Sequence, residues 1–318
     1  MWLILTLYLI WELNNLERYL FSFPLSFYFS GVGLTFGVGA ASYISRLLGA
    51  KKSKGANRVS SVAFYTAGII GFVLMIIFLV FIEKILIFMG ATETILPYAL
   101  QYGYIFIVSM FFSTINVCSG NLAIAQGEAK VTLKAMIIGA ILNMILDPIM
   151  IESMNMGVKG AALATLVSQI ITTIIYFKFF FGKKSYVKMK WKEFKPSSEI
   201  YGEIIKVGIS MLLLQALTGF SMSLISRNAS AYGDAAVSAM GIVLRIVTLG
   251  TNVIFGFMKG YQPFVGYNYG ARNYDRVKKI TNSAIKWSTI YCIIWMIIVI
   301  LFLNSIMIIM INDLKLFA

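Results

Sequence analysis

One carboxylate, Asp147, stands in an apolar helical run of this chain, ahead of the polar turn ESMNMG. The segment MIIGAILNMILDPIMIESMNMGVKGAALAT, residues 136–165, contains Asp147, with Pro148 directly after it. Gly139, Asn143 and Asp147 follow one another at intervals of four. That interval places all three on one face of a helix. Pro148 has no N–H to donate, so the carbonyl of Met144 loses its helical partner and the helix gains a place to bend. An amide, a carboxylate and a loosened backbone together are costly in lipid. A group of that kind marks an ion or proton site by default, the alternative being an Asp that reaches the interface from a helix end. The turn ESMNMG after it is short, so the next apolar run must return antiparallel beside the first. With a rise of about 1.5 Å per residue, Asp147 lies about 8 Å back from that turn and Thr165 about 12 Å beyond it. The carboxylate, the amide of Asn143 and the hydroxyl of Thr165 are therefore expected at similar depth.

The surroundings of this cluster define its medium. Of 318 residues, 59% are hydrophobic and 13% charged, and the mean hydropathy is +0.83. Apolar runs recur from end to end, which is the pattern of an all-α polytopic membrane protein with the lipid bilayer as its main partner. The net charge of +14 would suggest nucleic acid in a soluble protein. Here the basic residues sit in short loops, where they set topology, and no nucleic-acid partner is expected. The two cysteines, Cys118 and Cys292, both lie in apolar runs and suggest neither a disulfide framework nor a zinc site. The chain has no histidine, so proton coupling would have to use carboxylates. It contains no GxxxxGK[ST] loop, which argues against a nucleotide-driven pump. A basic n-region and a cleavage site are absent from the first residues, and a signal peptide is not expected.

Eight spanning helices are expected to position the cluster. Residues 1–18 hold an apolar run of about eleven residues, short of the ~20 that cross a bilayer. The first full helix covers 19–48 and carries GVGLTFGVGAAS, whose small residues suit close helix packing better than a dinucleotide loop. A basic loop, 46–58, precedes the second helix at 61–82. The third covers 98–125, the fourth carries Asp147, and the fifth covers 158–181. The polar segment GKKSYVKMKWKEFKPSSE reads as a cytoplasmic linker, residues 183–199, between an N-lobe (1–182) and a partial C-lobe (200–318). Helices six to eight are expected at 201–225, 236–261 and 284–311. The loops after helices one, three, five and seven carry the basic clusters, so that side is cytoplasmic.

The chain also repeats itself. Shifted by 221 residues, Gly49-Ala50 falls on Gly270-Ala271, and 61–90 falls on 282–311 without a gap. Nine of those thirty positions are identical, where composition alone would give about three or four. Six helices separate the copies, so the repeat is parallel, with an axis along the membrane normal. The same shift implies a design of twelve helices, of which this chain holds eight, without most of the first and without the last three.

Three segments now carry a resemblance. GVGAASYISRLLGAKKSKGANRVS, GAILNMILDPIMI with MGVKGAALATLVSQ, and GYQPFVGYNYGARNYDRVKK occur in this order. They resemble the multidrug and toxic compound extrusion (MATE) transporters, in the bacterial DinF-like branch. The resemblance implies a two-lobe helical bundle in the bacterial plasma membrane. It implies export of cationic amphipathic drugs in exchange for Na⁺ or H⁺, with no enzymatic step and no cofactor beyond the coupling ion, by a monomer. It further implies a cation site formed by an Asp of the first helix together with Asn143, Asp147 and Thr165. The first-helix Asp has no match in this chain. An oxygen cluster shielded from water is suited to a proton or to Na⁺, and Pro148 offers the hinge. A bound cation then favours one arrangement of the lobes and the drug another.

Four further polar residues lie in apolar runs of the second lobe. Arg245 and Lys259 are candidates for the substrate cavity, against the simpler reading that their charges reach the interface. Gln215 and Asn252 are candidates for the same cavity or for hydrogen bonds between helices. Two other readings stand beside the antiporter. A flippase of lipid-linked sugars would need several cationic side chains in its cavity, and a non-transporting product of a truncated gene would need none of this chemistry.

Overall fold

A computed structural model describes residues 16–88, 96–182, 184–230 and 234–302. Among them are eight long helices, as the apolar runs require: α1 (Leu16–Gly49), α2 (Ser53–Phe88), α3 (Leu96–Ala125), α4 (Ala129–Pro148), α5 (Val158–Phe180), α6 (Ser198–Ser230), α7 (Asp234–Gly270) and α8 (Tyr274–Leu301). The apolar run at 1–15, and the end of the eighth helix expected to reach residue 311, lie outside the described residues. Among the described residues, seven stretches are long and apolar enough to cross a membrane, one in each of α1 to α6 and one in α8.

α1 is the hub, packing against α2, α3, α6 and α7. Its glycine run does what small residues do in lipid, letting helices approach closely. Gly33 and Gly37 face α3 at Val117 and Cys118, and Gly39 faces the main chain of α6 at Ile204. The outer faces of α2, α4 and α8 are apolar and exposed, at Phe72, Ile76, Ile137, Ile141, Ile293 and Ile297 among others, as lipid contact demands.

The basic loop expected at 46–58 is mostly helix. Only residues 50–52 separate α1 from α2, and Lys51 turns the chain at φ 58°. The same turn recurs between α7 and α8, where Arg272 has φ 61°. It recurs bond for bond: Ala50 N–H donates to the Arg46 carbonyl (3.0 Å) as Ala271 donates to Tyr267 (2.9 Å), and Lys52 donates to Leu47 (2.8 Å) as Asn273 donates to Asn268 (2.9 Å). Each pair is related by the 221-residue shift. The two turns meet face to face. A Cβ at Gly49 would strike the Tyr267 carbonyl, and one at Gly270 would strike the Arg46 carbonyl. Glycine is required at both positions because the partner there is backbone, which cannot step aside. Beside this seam Arg46 pairs with Glu203 of α6 (2.6 Å), each side chain about one-third exposed (33% and 30%). A pair that open to solvent adds at most about 1 kcal/mol, so the glycine contacts dominate the seam.

The segment expected as a linker is an extended strap fastened to the first helices. Ser185, Val187 and Met189 are buried, while Lys184, Tyr186, Lys188 and Lys190 are exposed, the alternation of an extended chain on a surface. The Gln126 Oε1 accepts from the Ser185 hydroxyl (2.9 Å) and the Val187 N–H (3.0 Å). Lys188 N–H donates to Asn57 (2.9 Å), and the Arg58 guanidinium donates to the Lys195 carbonyl (2.8 Å). Trp191 and Phe194 close the strap against Tyr65. Gln126→Ala removes the shared acceptor and leaves the buried Val187 N–H unmatched, at a cost of about 1–3 kcal/mol, while the Ser185 hydroxyl keeps the Val187 carbonyl (2.7 Å). Trypsin should then cut after Lys184, Lys188 and Lys190 several-fold faster in the variant. Equal cutting rates would mean that the strap is held without Gln126.

Candidate functional site

α4 ends as Pro148 dictates. α-Helical pairing stops there and a wider turn carries the chain through Ile149–Ser153, with Met154 N–H donating to the Ile149 carbonyl (2.9 Å). Asn155 (φ 52°) and Gly157 (φ 52°) complete the reversal into α5. The tight turn thus sets α4 and α5 side by side.

This arrangement joins the three residues singled out at the start. The Asn143 Nδ2 donates to the Asp147 Oδ1 (3.3 Å) and lies 3.5 Å from the Thr165 Oγ1, which accepts. Thr165 donates its own proton to the Ala161 carbonyl (3.1 Å), so its lone pair remains for a partner. Asp147 is buried, at 7% exposure, while Asn143 and Thr165 are half-buried. A carboxylate, an amide oxygen and a hydroxyl oxygen within one side chain's reach form a hard-oxygen set. Hard oxygen suits an alkali cation or a proton and does not suit a soft transition metal. Among the described residues no group of three or more His, Cys, Asp or Glu side chains gathers for a metal. The short chain of contacts is Asp147 to Asn143 to Thr165, with Asn143 at its centre.

Asn143 and Thr165 also line a cavity of about 360 Å³ between α3, α4 and α5, and Lys259 reaches in from α7. Its size falls in the range that encloses drug-sized molecules. Of the four second-lobe candidates, Lys259 is in this wall, whereas Gln215 and Asn252 are not. Gln215 is half-buried in α6 and Asn252 exposed on α7. Arg245 belongs to α7, and its side chain lies outside the described ones.

On α5 the wall is a polar stripe, of which the sequence reading picked out Thr165 and passed over the rest. Thr165, Ser168, Gln169, Thr172 and Tyr176 of α5 recur at helical intervals through an apolar run, and all line the cavity. Asn116 of α3 fastens the stripe: its Nδ2 donates to the Gln169 Oε1 (2.7 Å) and carbonyl (2.9 Å), and its Oδ1 accepts from Thr173 (2.8 Å). The signal was legible as a hydroxyl-rich face at spacings of three and four.

Known proteins share this architecture. The MatE family profile matches residues 18–149 and 207–318. The chain is 32% identical over 255 residues to the multidrug export protein MepA of Staphylococcus aureus (strain NCTC 8325 / PS 47), a match that takes in 80% of this chain and 56% of that protein. MepA of Staphylococcus saprophyticus subsp. saprophyticus is 29% identical over 276 residues, which covers 87% of this chain and 61% of that protein. The chain thus spans somewhat over half the length of the curated relatives it matches. Among solved structures, the crystal structure of MATE in complex with MaD3S superposes with a TM-score of 0.89 at 27% identity, over 95% of this chain and 68% of the other. The outward-facing conformation of a multidrug resistance MATE family transporter of the MOP superfamily gives 0.89 at 27% identity, over 96% and 70%.

Proposed function

Since this chain belongs to the MatE family, we propose that it works as a secondary active antiporter, exporting cationic amphipathic drugs in exchange for Na⁺ or H⁺. The three sequence segments favour the DinF-like branch, and the basic turns gathered on one side favour a bacterial plasma membrane with that side cytoplasmic. In this reading residues 1–182 form the cation-binding lobe, 183–199 the connecting strap and 200–318 helices of the second lobe, in a protein that acts as a monomer. The coupling cation is cargo, held by Asp147, Asn143 and Thr165, and Pro148 is the hinge at which α4 bends as the cation enters or leaves.

One observation supports this most: the Asn143 amide joins the buried Asp147 to Thr165 and also faces the cavity. A cation that draws on the carboxylate must compete for Asn143, and a substrate in the cavity meets the same amide from the other side. The two ligands then bias one shared element, which is what exchange requires.

The protein reconstituted into vesicles tests this. An outward Na⁺ gradient and an outward H⁺ gradient, imposed separately, should divide: one drives accumulation of the cationic dye ethidium inside the vesicles and the other does not. Accumulation under neither gradient, with ethidium and with a rhodamine dye that also carries a carboxylate, would rule out antiport.

A further inference from the structure

Among the described residues, Lys259 is the one member of the last three helices in the cavity wall and the only wall residue with a formal charge. Among those same residues no Asp or Glu shares that wall. Among the described residues the one ion pair is Arg46 with Glu203, so the Lys259 ammonium has no carboxylate partner there. Asp147 does not reach the wall either, for it is buried behind Asn143 and engaged with that amide. The remaining polar groups are amides and hydroxyls such as Asn116, Asn121, Gln169 and Thr172. These orient a ligand of either sign but do not choose between signs.

A lysine inside a spanning bundle is expensive and persists where it faces a cavity or a partner. Lys259 supplies its ammonium on a flexible stem with three donors, so it meets a carboxylate without imposing one geometry. That suits a cavity which admits many shapes. The same charge repels a simple cation at short range in a site partly shielded from water.

We propose that Lys259 makes this cavity a receptor for amphipathic compounds that carry an acidic group, so that among cationic drugs it selects zwitterions over simple cations. This rests on the reading of the cavity as the substrate site. The acidic group sits at the Lys259 ammonium, and the apolar body lies along Val117, Ile124 and Met136, which line the same cavity.

Two dyes that differ by one ester test it. Rhodamine 110 is a zwitterion with a free carboxylate, and rhodamine 123 is its methyl ester, a simple cation. Binding of each to the full chain in lipid nanodiscs is read by fluorescence anisotropy. Rhodamine 110 should bind at least tenfold more tightly than rhodamine 123. Lys259→Gln should erase that preference, Lys259→Glu should reverse it, and Lys259→Arg should keep it. Because Lys259 is exposed, the variants should elute as the parent does, and Lys259→Arg guards against a fold defect in the others. Equal affinities, or tighter binding of the ester, overturn the proposal and leave the cavity reading standing, as does a preference that survives Lys259→Gln. If neither dye binds the parent protein, the cavity reading fails and the proposal fails with it.

Discussion

Asp147→Asn should abolish gradient-driven dye accumulation in vesicles, lowering the initial rate at least tenfold, while the folded protein still binds dye. The substitution keeps the volume of the side chain and an oxygen that accepts from Asn143, so the contact of 3.3 Å has a replacement. What it removes is the formal charge. A neutral amide can neither take up and release a proton nor balance the charge of Na⁺, and both forms of coupling fail together. Dye binding should persist because Asp147 is not in the cavity wall. Accumulation at the parent rate in Asp147→Asn would remove this residue from the mechanism. Thr165→Val makes the result more specific. It keeps the shape and deletes the oxygen that faces Asn143. Under Na⁺ coupling the half-saturating Na⁺ concentration should rise several-fold, whereas under H⁺ coupling the rate should change little.

The second large effect falls on stability. Asn116→Leu removes three contacts at once, two to Gln169 and one from Thr173. Hydrogen bonds between helices in bilayers are each worth about 0.6 kcal/mol on average, so the three together contribute about 2 kcal/mol. Leucine cannot recover that by burial, because the Gln169 amide would be left facing it. The midpoint of thermal unfolding in nanodiscs should fall by about 3 °C. Thr173→Val deletes one of the three contacts and should produce about a third of that shift. An unchanged midpoint for Asn116→Leu would mean that the stripe on α5 is held by packing alone.

Much of this architecture was legible in the chain because the bilayer leaves few choices. A long apolar run must be a helix, since every backbone group has to be satisfied within the segment. Intervals of four put Gly139, Asn143 and Asp147 on one face, and a short turn forces α5 back along α4. Those two facts brought Thr165 to Asn143 before any packing was known. The 221-residue repeat likewise announced the matched turns at Lys51 and Arg272. Its roots are local, in a Gly-Ala pair and the hydrogen bonds of a single turn.

Other features depend on residues far apart in the chain, and no local pattern specifies them. Lysines and polar residues made 183–199 read as a cytoplasmic linker between the lobes. Its course is decided by Gln126, Asn57 and Ser61, which lie more than fifty residues away and supply the partners. The polar stripe on α5 was visible as spacing, but spacing does not say whether such a face meets lipid, another helix or a cavity. Asn116 decides that, by drawing Gln169 and Thr173 toward α3. Lys259 read more simply as an interface lysine than as a cavity residue. Only the packing of α7 against α1 and α3 brings it into the wall. The sequence by itself determined the helices, the repeat and the Asp147–Asn143–Thr165 cluster, because bilayer thickness, helical pitch and a short turn act within about thirty residues. The tertiary structure alone decided the course of the strap and the charge of the cavity, because each depends on contacts between segments that lie far apart along the chain.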